Sequence, residues 1–514
     1  MKKIITLSTI AFLSTALYAS TDDMQTQIDE LTAKIAKLEK TQKKQNKKIS
    51  AVNKLANKDN IKFDVDFRTS YDNISYKTVG GQEYNNDSLY SNRLWLNMGY
   101  APTDTILFKG QLAFNKAFGA TAFNMANSNP QRGYGFDAFD WVINENLTDD
   151  SLKVREAYWL WTPTIGGFKT TWSVGRRPAT NGYLINLRDD DKAKSPMGHI
   201  INMEFDGASA SIKLDRYVPG MYAKVCLGRG LTNANARFTT NQANASIDYA
   251  TDTTTYADGN KNLDNVDMVG VILKAYDDGQ YSVMAKWYRG FDVPGMYATS
   301  MTDMDSDPAT QRDLMPTDYK MLTGGDMDGA AISAKIEGIG DEINDFLDET
   351  IVFASFAWSK SNPNSDIQRT VTAADGSWSG TQNTGSSMLG SSDSETGTSY
   401  WFGTQMPNMT GGKFGLEYNH GSQYWRPFTY GEDTMIGSKM AVRGSAYEAY
   451  WTQPLIDNIF SMQIRYTYLD YDYTGSNAFF GDGGTAIKLS DAQALGMDPV
   501  ETASDLRIYF RYQY

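Results

Sequence analysis

Several residues that would announce a familiar chemistry are scarce in this chain. One cysteine, Cys226, occurs in 514 residues, which excludes a disulfide framework, and no CxxCH motif is present to attach a c-type haem. Histidine is limited to His199 and His420, which leaves little for acid–base catalysis. Beyond the first twenty residues no run approaches the ~18 apolar residues that a membrane-spanning helix needs. A basic domain for nucleic acid is missing too. The net charge is -13, of which residues 1–19 carry +2 and residues 20–60 carry +3, so residues 61–514 carry -18. With 41% apolar residues and a mean hydropathy of -0.47, the chain is too polar for a helical membrane protein. That composition suits a barrel in which half of each strand faces water. Tyrosine, at 31, is the most numerous aromatic.

The N-terminus has the layout of a secretory signal peptide: Lys2 and Lys3, an apolar run from Ile4 to Leu17 and small residues around Ala19. Cleavage is expected after Ala19, so the chain is exported. From Met24 the apolar period becomes helical. Met24, Ile28, Leu31, Ile35, Leu38, Gln42, Gln45, Ile49, Val52 and Ala56 alternate steps of four and three, the heptad spacing of a coiled coil. Residues 20–60 are therefore expected to form an α-helical coiled-coil segment with an open strand number. A single amphipathic helix is the alternative.

After Asn60 the period switches to two. Ile61, Phe63, Val65, Phe67, Thr69 and Tyr71 form one column, and Lys62, Asp64, Asp66 and Arg68 form the other. The last ten residues, DLRIYFRYQY, divide in the same way: Leu506, Ile508, Phe510, Tyr512 and Tyr514 against Arg507, Tyr509, Arg511 and Gln513. Short turns at 101–104, 162–167, 216–220, 277–279, 407–412 and 453–458, with a longer one at 339–349, alternate with polar connections near 78–87, 119–150, 178–197, 231–262, 292–326, 361–397, 426–436 and 475–503. Seven turns and eight loops join sixteen strands and put both ends on one side. The expected fold is an all-β transmembrane barrel of about sixteen antiparallel strands over 61–514, short turns on one side and long loops on the other. Tyr100, Trp161 and Trp451, just before proline-bearing turns, mark one interfacial girdle.

In such a barrel the charged column faces the lumen. Parity turns Asp64, Asp66, Arg68, Arg93, Arg465, Arg507 and Arg511 inward on strands that become neighbours at closure, with Glu204, Glu417 and Glu448 inward elsewhere. The arginines read as a basic wall, and these ten residues are the candidate pore lining. Acidic groups in the loops, among them 188–192 (RDDDK) and 300–313, are expected to lie outside. The 119–150 loop is long enough to fold in and set Asp137 and Asp140 against the wall, which predicts weak cation preference.

The segments GRRPATNG (175–182), FDG (205–207) and GLEYNHGSQYW (415–425) are similar to a family of Gram-negative porins that pair a short coiled coil with a barrel, and the aromatic C-terminal residue resembles the porin pattern, with Tyr514 where Phe is usual. The resemblance spans most of the chain. It implies a pore in the outer membrane, with the N-terminal helix in the periplasm and lipid and lipopolysaccharide around the barrel. It carries no functional residue across.

Other chemistries are weaker. His420 stands two residues from Ser422, on one face of a strand, without an oxyanion glycine motif. Asp303, Asp305 and Asp307 open with calcium-loop spacing, but Pro308 and Leu314 replace the glycine and glutamate that an EF-hand requires. The expectation is thus a non-enzymatic porin for ions and small polar solutes, without cofactor or metal, without nucleic acid, and assembled as a homo-oligomer, most simply a trimer. A structural tether, in which a non-conducting barrel anchors a lysine-rich helix to the cell wall, is the alternative from another class. A barrel hydrolase using His420 is a third.

Overall fold

The computed structural model describes residues 61–514 apart from parts of 121–148, 233–263, 310–313, 341–342, 366, 385–390, 430–434 and 476–485. The signal peptide, the heptads of 20–60 and Asp137 lie outside the described residues. Lys62–Gly99 and Thr105–Tyr514 form one compact unit, an antiparallel sheet of sixteen long strands closed on itself.

The strands are β1 (Lys62–Thr78), β2 (Glu83–Tyr100), β3 (Ile106–Ala117), β4 (Lys153–Trp161), β5 (Phe168–Ala179), β6 (Ile201–Lys213), β7 (Tyr222–Leu231) and β8 (Val266–Asp277). They continue as β9 (Tyr281–Asp303), β10 (Leu314–Glu337), β11 (Ile351–Pro363), β12 (Thr396–Pro407), β13 (Lys413–Gly421), β14 (Gly444–Ile456), β15 (Phe460–Tyr471) and β16 (Val500–Gln513). Each pairs with its sequence neighbour, and β16 returns to β1 with Asp66 opposite Gln513 and Thr69 opposite Phe510. Closure leaves no sheet edge, which a bilayer demands of a spanning sheet.

Alternation along the strands explains why these residues form a barrel. On β16, Ala503, Asp505, Arg507, Tyr509 and Arg511 are buried, while Phe510 and Tyr512 are exposed. The outer columns are apolar on every side: Leu227, Trp287, Ile332, Phe356 and Phe402 are all exposed. A band of that extent does not belong in water. Among the described residues no helix is long and apolar enough to cross a membrane, so strands make the crossing.

The short turns carry their own chemistry. Between β8 and β9 the Asp278 carboxylate accepts the backbone N–H groups of Gln280 and Tyr281 at 2.9 and 2.7 Å, and Gly279 takes φ 100°, an Asx turn closed by glycine. Between β12 and β13, Asn408 accepts from the N–H groups of Thr410 and Gly412 at 3.0 and 2.8 Å. The longer turn between β10 and β11 holds one helical turn, α1 (Asp345–Asp348), capped by Asn344, which accepts from the Leu347 N–H.

Four connections depart from the sequence expectation. The stretch 78–87 reduces to four residues between β1 and β2. Most of 292–326 is strand: β9 and β10 run on as a hairpin of 23 and 24 residues, beyond the ~9 to 11 that a tilted strand needs to span. Near its tip β9 pairs in parallel with the short strand Ile367–Ala373, Ser300 opposite Thr370. The third departure matters most, since the segment between β5 and β6 turns inward. Tyr183, Leu184, Ile185, Leu187, Met197 and Ile200 are buried and join one apolar core with inward residues of β6 to β12. The chain between β13 and β14 does the same with Trp425, Phe428 and Met440, and Phe428 pairs in parallel with Ile201. The barrel thus contains a core.

Candidate functional site

The inner wall is built in two halves. From β6 to β12 the inward side chains meet the apolar core. From β13 through β16 to β1 and β2 they are charged. Asp66, Arg68, Arg93, Arg465, Arg507 and Arg511 occupy inward columns and are buried, whereas Asp64, near the start of β1, is exposed. Register brings like charges face to face: Arg68 stands opposite both Arg93 and Arg511, and Arg465 opposite Arg507. Such opposition is unfavourable in a ladder, and acids interleave to offset it. Asp66 accepts from Arg511 Nε at 3.0 Å and Nη2 at 2.5 Å and lies 3.5 Å from Arg93. Asp72 pairs with Arg507. Aromatic faces take up more of the charge: the Arg93 guanidinium lies 3.6 Å from the Trp95 ring centroid, and that of Arg68 lies 5.1 Å from Tyr509.

Glu448 is the hub of the charged half. Its carboxylate meets Arg188 at 3.1 Å, Lys439 at 2.5 Å and Arg465 at 4.0 Å, and accepts from Thr467 Oγ1 at 2.7 Å. Glu417, opposite Glu448 in the ladder, shares Lys439 at 2.8 Å and accepts from Trp401 Nε1 at 3.0 Å. Two of these cations come from inturned chain, Arg188 from the β5–β6 segment and Lys439 from the β13–β14 segment. Glu204 is also buried, between Arg155 and Arg176 at 3.0 Å each.

The β5–β6 segment is fastened to opposite walls. Tyr183 donates to Ser282 Oγ on β9 at 2.9 Å. His199 bridges Ser355 on β11 (2.7 Å from Nδ1) and Ser399 on β12 (3.0 Å from Nε2), and burial pushes its pKa down to about 3. Gln405 and Gln463 donate to the carbonyls of Leu187 and Arg188 at 2.6 and 2.8 Å. At the far wall Tyr509 donates to Asp189 at 3.0 Å, and Arg511 meets Asp191 at 2.9 Å. Burial above all, with Asp189 and Asp66 nearby, holds the Asp191 carboxyl above its ordinary pKa against the pull of Arg511. The RDDDK stretch expected outside is therefore an interior element. Its charges are tolerated because arginines on distant strands meet them.

The other sequence candidates fall apart. Asp140 pairs with Arg176 at 2.5 Å. His420 stacks on Tyr400 and faces Ser445 at 3.3 Å, while Ser422 Oγ accepts from the Thr398 N–H at 2.9 Å, so the two do not meet. Asp305 and Asp307 accept from backbone N–H groups of their own loop. Among the described residues no group of His, Cys, Asp and Glu could hold a metal.

A family model described as a protein of unknown function, DUF3373, matches residues 83–514. The chain belongs to the DUF3373 family. Its described residues are a porin-like barrel of sixteen strands. No curated protein matches the DUF3373 chain. Among solved structures it is similar to the outer-membrane protein OmpT of Vibrio cholerae, at 10% identity over 88% of this chain and 98% of that one with a TM-score of 0.40. OprB of Pseudomonas putida is 8% identical over 91% and 96%, TM-score 0.43. An anion-selective porin of Comamonas acidovorans is 10% identical over 88% and 100%, TM-score 0.41.

Sequence reasoning about this DUF3373 chain missed Arg188, Asp189, Asp191, Lys439 and the interior lysines Lys224 and Lys286. One signal was available. Tyr183–Leu187 reads YLINL, too apolar for a solvated loop.

Proposed function

We propose that the barrel is an outer-membrane porin, a narrow diffusion channel for ions and small polar solutes. The observation that carries this reading is the opposition of signs inside it. An arginine-rich wall on β1, β2, β15 and β16 faces the inturned acids Asp189 and Asp191. Charges held in place between low-dielectric walls create a transverse field, which orients and selects passing solutes. With acids on the inturned chain offsetting the wall and a net -18 over 61–514, the preference is weakly for cations, most evident at low salt.

The long loops face the exterior, where their acids bridge to lipopolysaccharide through divalent ions. Both ends of the barrel lie on the short-turn side, Val65 and Tyr514 exchanging backbone hydrogen bonds of 2.7 and 2.9 Å, so the heptad helix extends into the periplasm and favours a trimer. No enzymatic activity is assigned. The tether reading draws support from the depth of interior burial, with Arg443, Arg465 and Arg507 each at 1% exposure. Planar-bilayer conductance under a salt gradient decides. Discrete steps with a small positive cation preference support the channel. Their absence from correctly folded protein refutes it in favour of the tether.

A further inference from the structure

Three inward glycines stand in one row across adjacent strands: Gly175 on β5 opposite Gly207 on β6, and Gly207 opposite Gly228 on β7. They clear side chains from a strip of wall that elsewhere carries large residues. A Cβ at Gly207 would lie 2.0 Å from the Leu227 carbonyl oxygen, and one at Gly228 would lie 3.0 Å from the Phe205 Cβ. The result is a cavity of about 80 Å³ between the inward faces of β5–β9 and the inturned chain at Ser195–Pro196. At ~15 Å³ for each water-sized occupant it has room for about five.

Three cations meet this cavity. Arg177 lies on β5. Lys224 on β7 and Lys286 on β9 are in register with the same residue of β8, Ile272. Two strand spacings place their backbones ~9.5 Å apart, a span that two lysine side chains close readily around one anion. Lys224 and Lys286 are 8% and 7% exposed. Lys224 Nζ donates to Ser195 Oγ at 2.7 Å and Arg177 to Ser209. No carboxylate among the described residues pairs with any of the three, and the Lys286 ammonium has no hydrogen-bond or ion-pair partner there. Arg177 lies over the Tyr158 ring at 5.3 Å, whereas neither lysine has a counter-charge of the kind that the arginines of the wall find in Asp66, Asp72 and Glu448. A buried ammonium without a counter-charge is costly, and three cations sharing one recess compound the cost. The remaining lining is apolar, including Ile201, Phe205, Met268 and Ile272.

We propose that this recess binds a small organic carboxylate of about two to four carbons, its carboxylate held by Lys286, Lys224 and Arg177 and its carbon chain against Phe205, Met268 and Ile272. Strongly hydrated inorganic anions fit less well, because the apolar lining returns nothing for their lost water. The site stands whether or not the barrel conducts.

The test uses the full chain in detergent micelles and needs no conduction. Cys226, the sole cysteine, is on the inward column between Lys224 and Gly228 and lines the same cavity, so its modification by a neutral maleimide reports occupancy. Butyrate should slow the reaction in a saturable way and sulfate at equal ionic strength should not. An anionic methanethiosulfonate should react at least tenfold faster than a cationic one. Lys286→Met and Lys224→Met should each weaken butyrate binding by calorimetry about tenfold or more, the worth of one charge-assisted hydrogen bond. Retained resistance to denaturation by detergent when unheated shows that the variants fold. Absence of butyrate protection, equal protection by sulfate, or unchanged affinity in both folded variants would overturn the assignment.

Discussion

Glu448→Gln removes one negative charge from the point where both inturned segments meet the wall. Arg188, Lys439 and Arg465 converge on this carboxylate at 3.1, 2.5 and 4.0 Å, and neither Glu448 nor Arg188 exposes more than 3% of its surface. After the change Lys439 retains Glu417 at 2.8 Å, and Arg188 retains the longer approach to Asp189 at 3.9 Å. Breaking a buried ion pair from one side costs about 3–5 kcal/mol because the surviving charge stays desolvated. Repulsion among the three cations adds to that. The least costly relief is for Arg188 to leave, taking the β5–β6 segment off the wall. Two measurements follow: the denaturant midpoint should fall, and single-channel conductance should rise as the lumen widens. Adding Arg188→Met to Glu448→Gln should recover part of the midpoint, since one unmatched cation is gone, while the conductance stays high. A Glu448→Gln protein with wild-type midpoint and wild-type conductance would refute the hub, and would mean that the inturned chain is held by its apolar core instead.

Other outcomes can be stated more briefly. His199 has a pKa of about 3 in the fold against an ordinary 6.5, so the fold favours its neutral form; stability is full above pH 6.5 and declines as pH falls toward 3, by on the order of a few kcal/mol over that window. Unfolding midpoints of His199→Gln should lack that slope relative to wild type, and parallel curves would remove the claim. Asp191 has a raised pKa, so it gains its proton above the usual carboxylate range and cation preference should fade on acidification. Reversal potentials of Asp191→Asn should show the faded preference already at neutral pH, and a wild-type pH response in that variant would count against it. Phe510 is on the outer column, opposite Met462 near the short-turn end of the barrel; Phe510→Arg should cost up to ~1 kcal/mol on the lipid face at that depth, seen as reduced insertion, and unchanged or improved assembly would count against the assigned face. Cross-linking through a cysteine placed at Ile35 should capture trimers in native membranes, and monomers alone would dismiss the helix as the assembly element.

The strand columns were legible because a two-residue period needs only neighbours to be read. Phe510 out and Arg511 in follow from six or seven residues of pattern. The hairpin extension of β9 and β10 escaped because Val293–Gly295 and Asp326 stand where the lipid-facing pattern has stopped, and a strand outside the bilayer has no reason to keep it. The interior escaped for another reason. RDDDK looks like a solvated loop, and its burial depends on Glu448, Tyr509 and Arg511, which lie some 260 to 320 residues further along the chain. No local window contains them. The apolar YLINL beside it was the readable hint, and charge outweighed it.

The closing seam of the barrel has a consequence for how the molecule is made. Arg511, on the last strand, binds Asp66 of the first strand and Asp191 of the inturned segment at the same time. Zipping β16 onto β1 without that segment would seal Arg68, Arg93 and Arg511 together with Asp66 as their nearest acid. Inturned chain arriving after closure could enter only through the mouth of the barrel, and until it did the wall arginines would stay gathered around one acid. The segment is therefore expected to be in place while the two edge strands are still apart, so that the final ladder forms only around a filled interior. The seam then couples closure to filling: Arg511 has both of its acids only when β16 lies on β1 and the β5–β6 segment is seated.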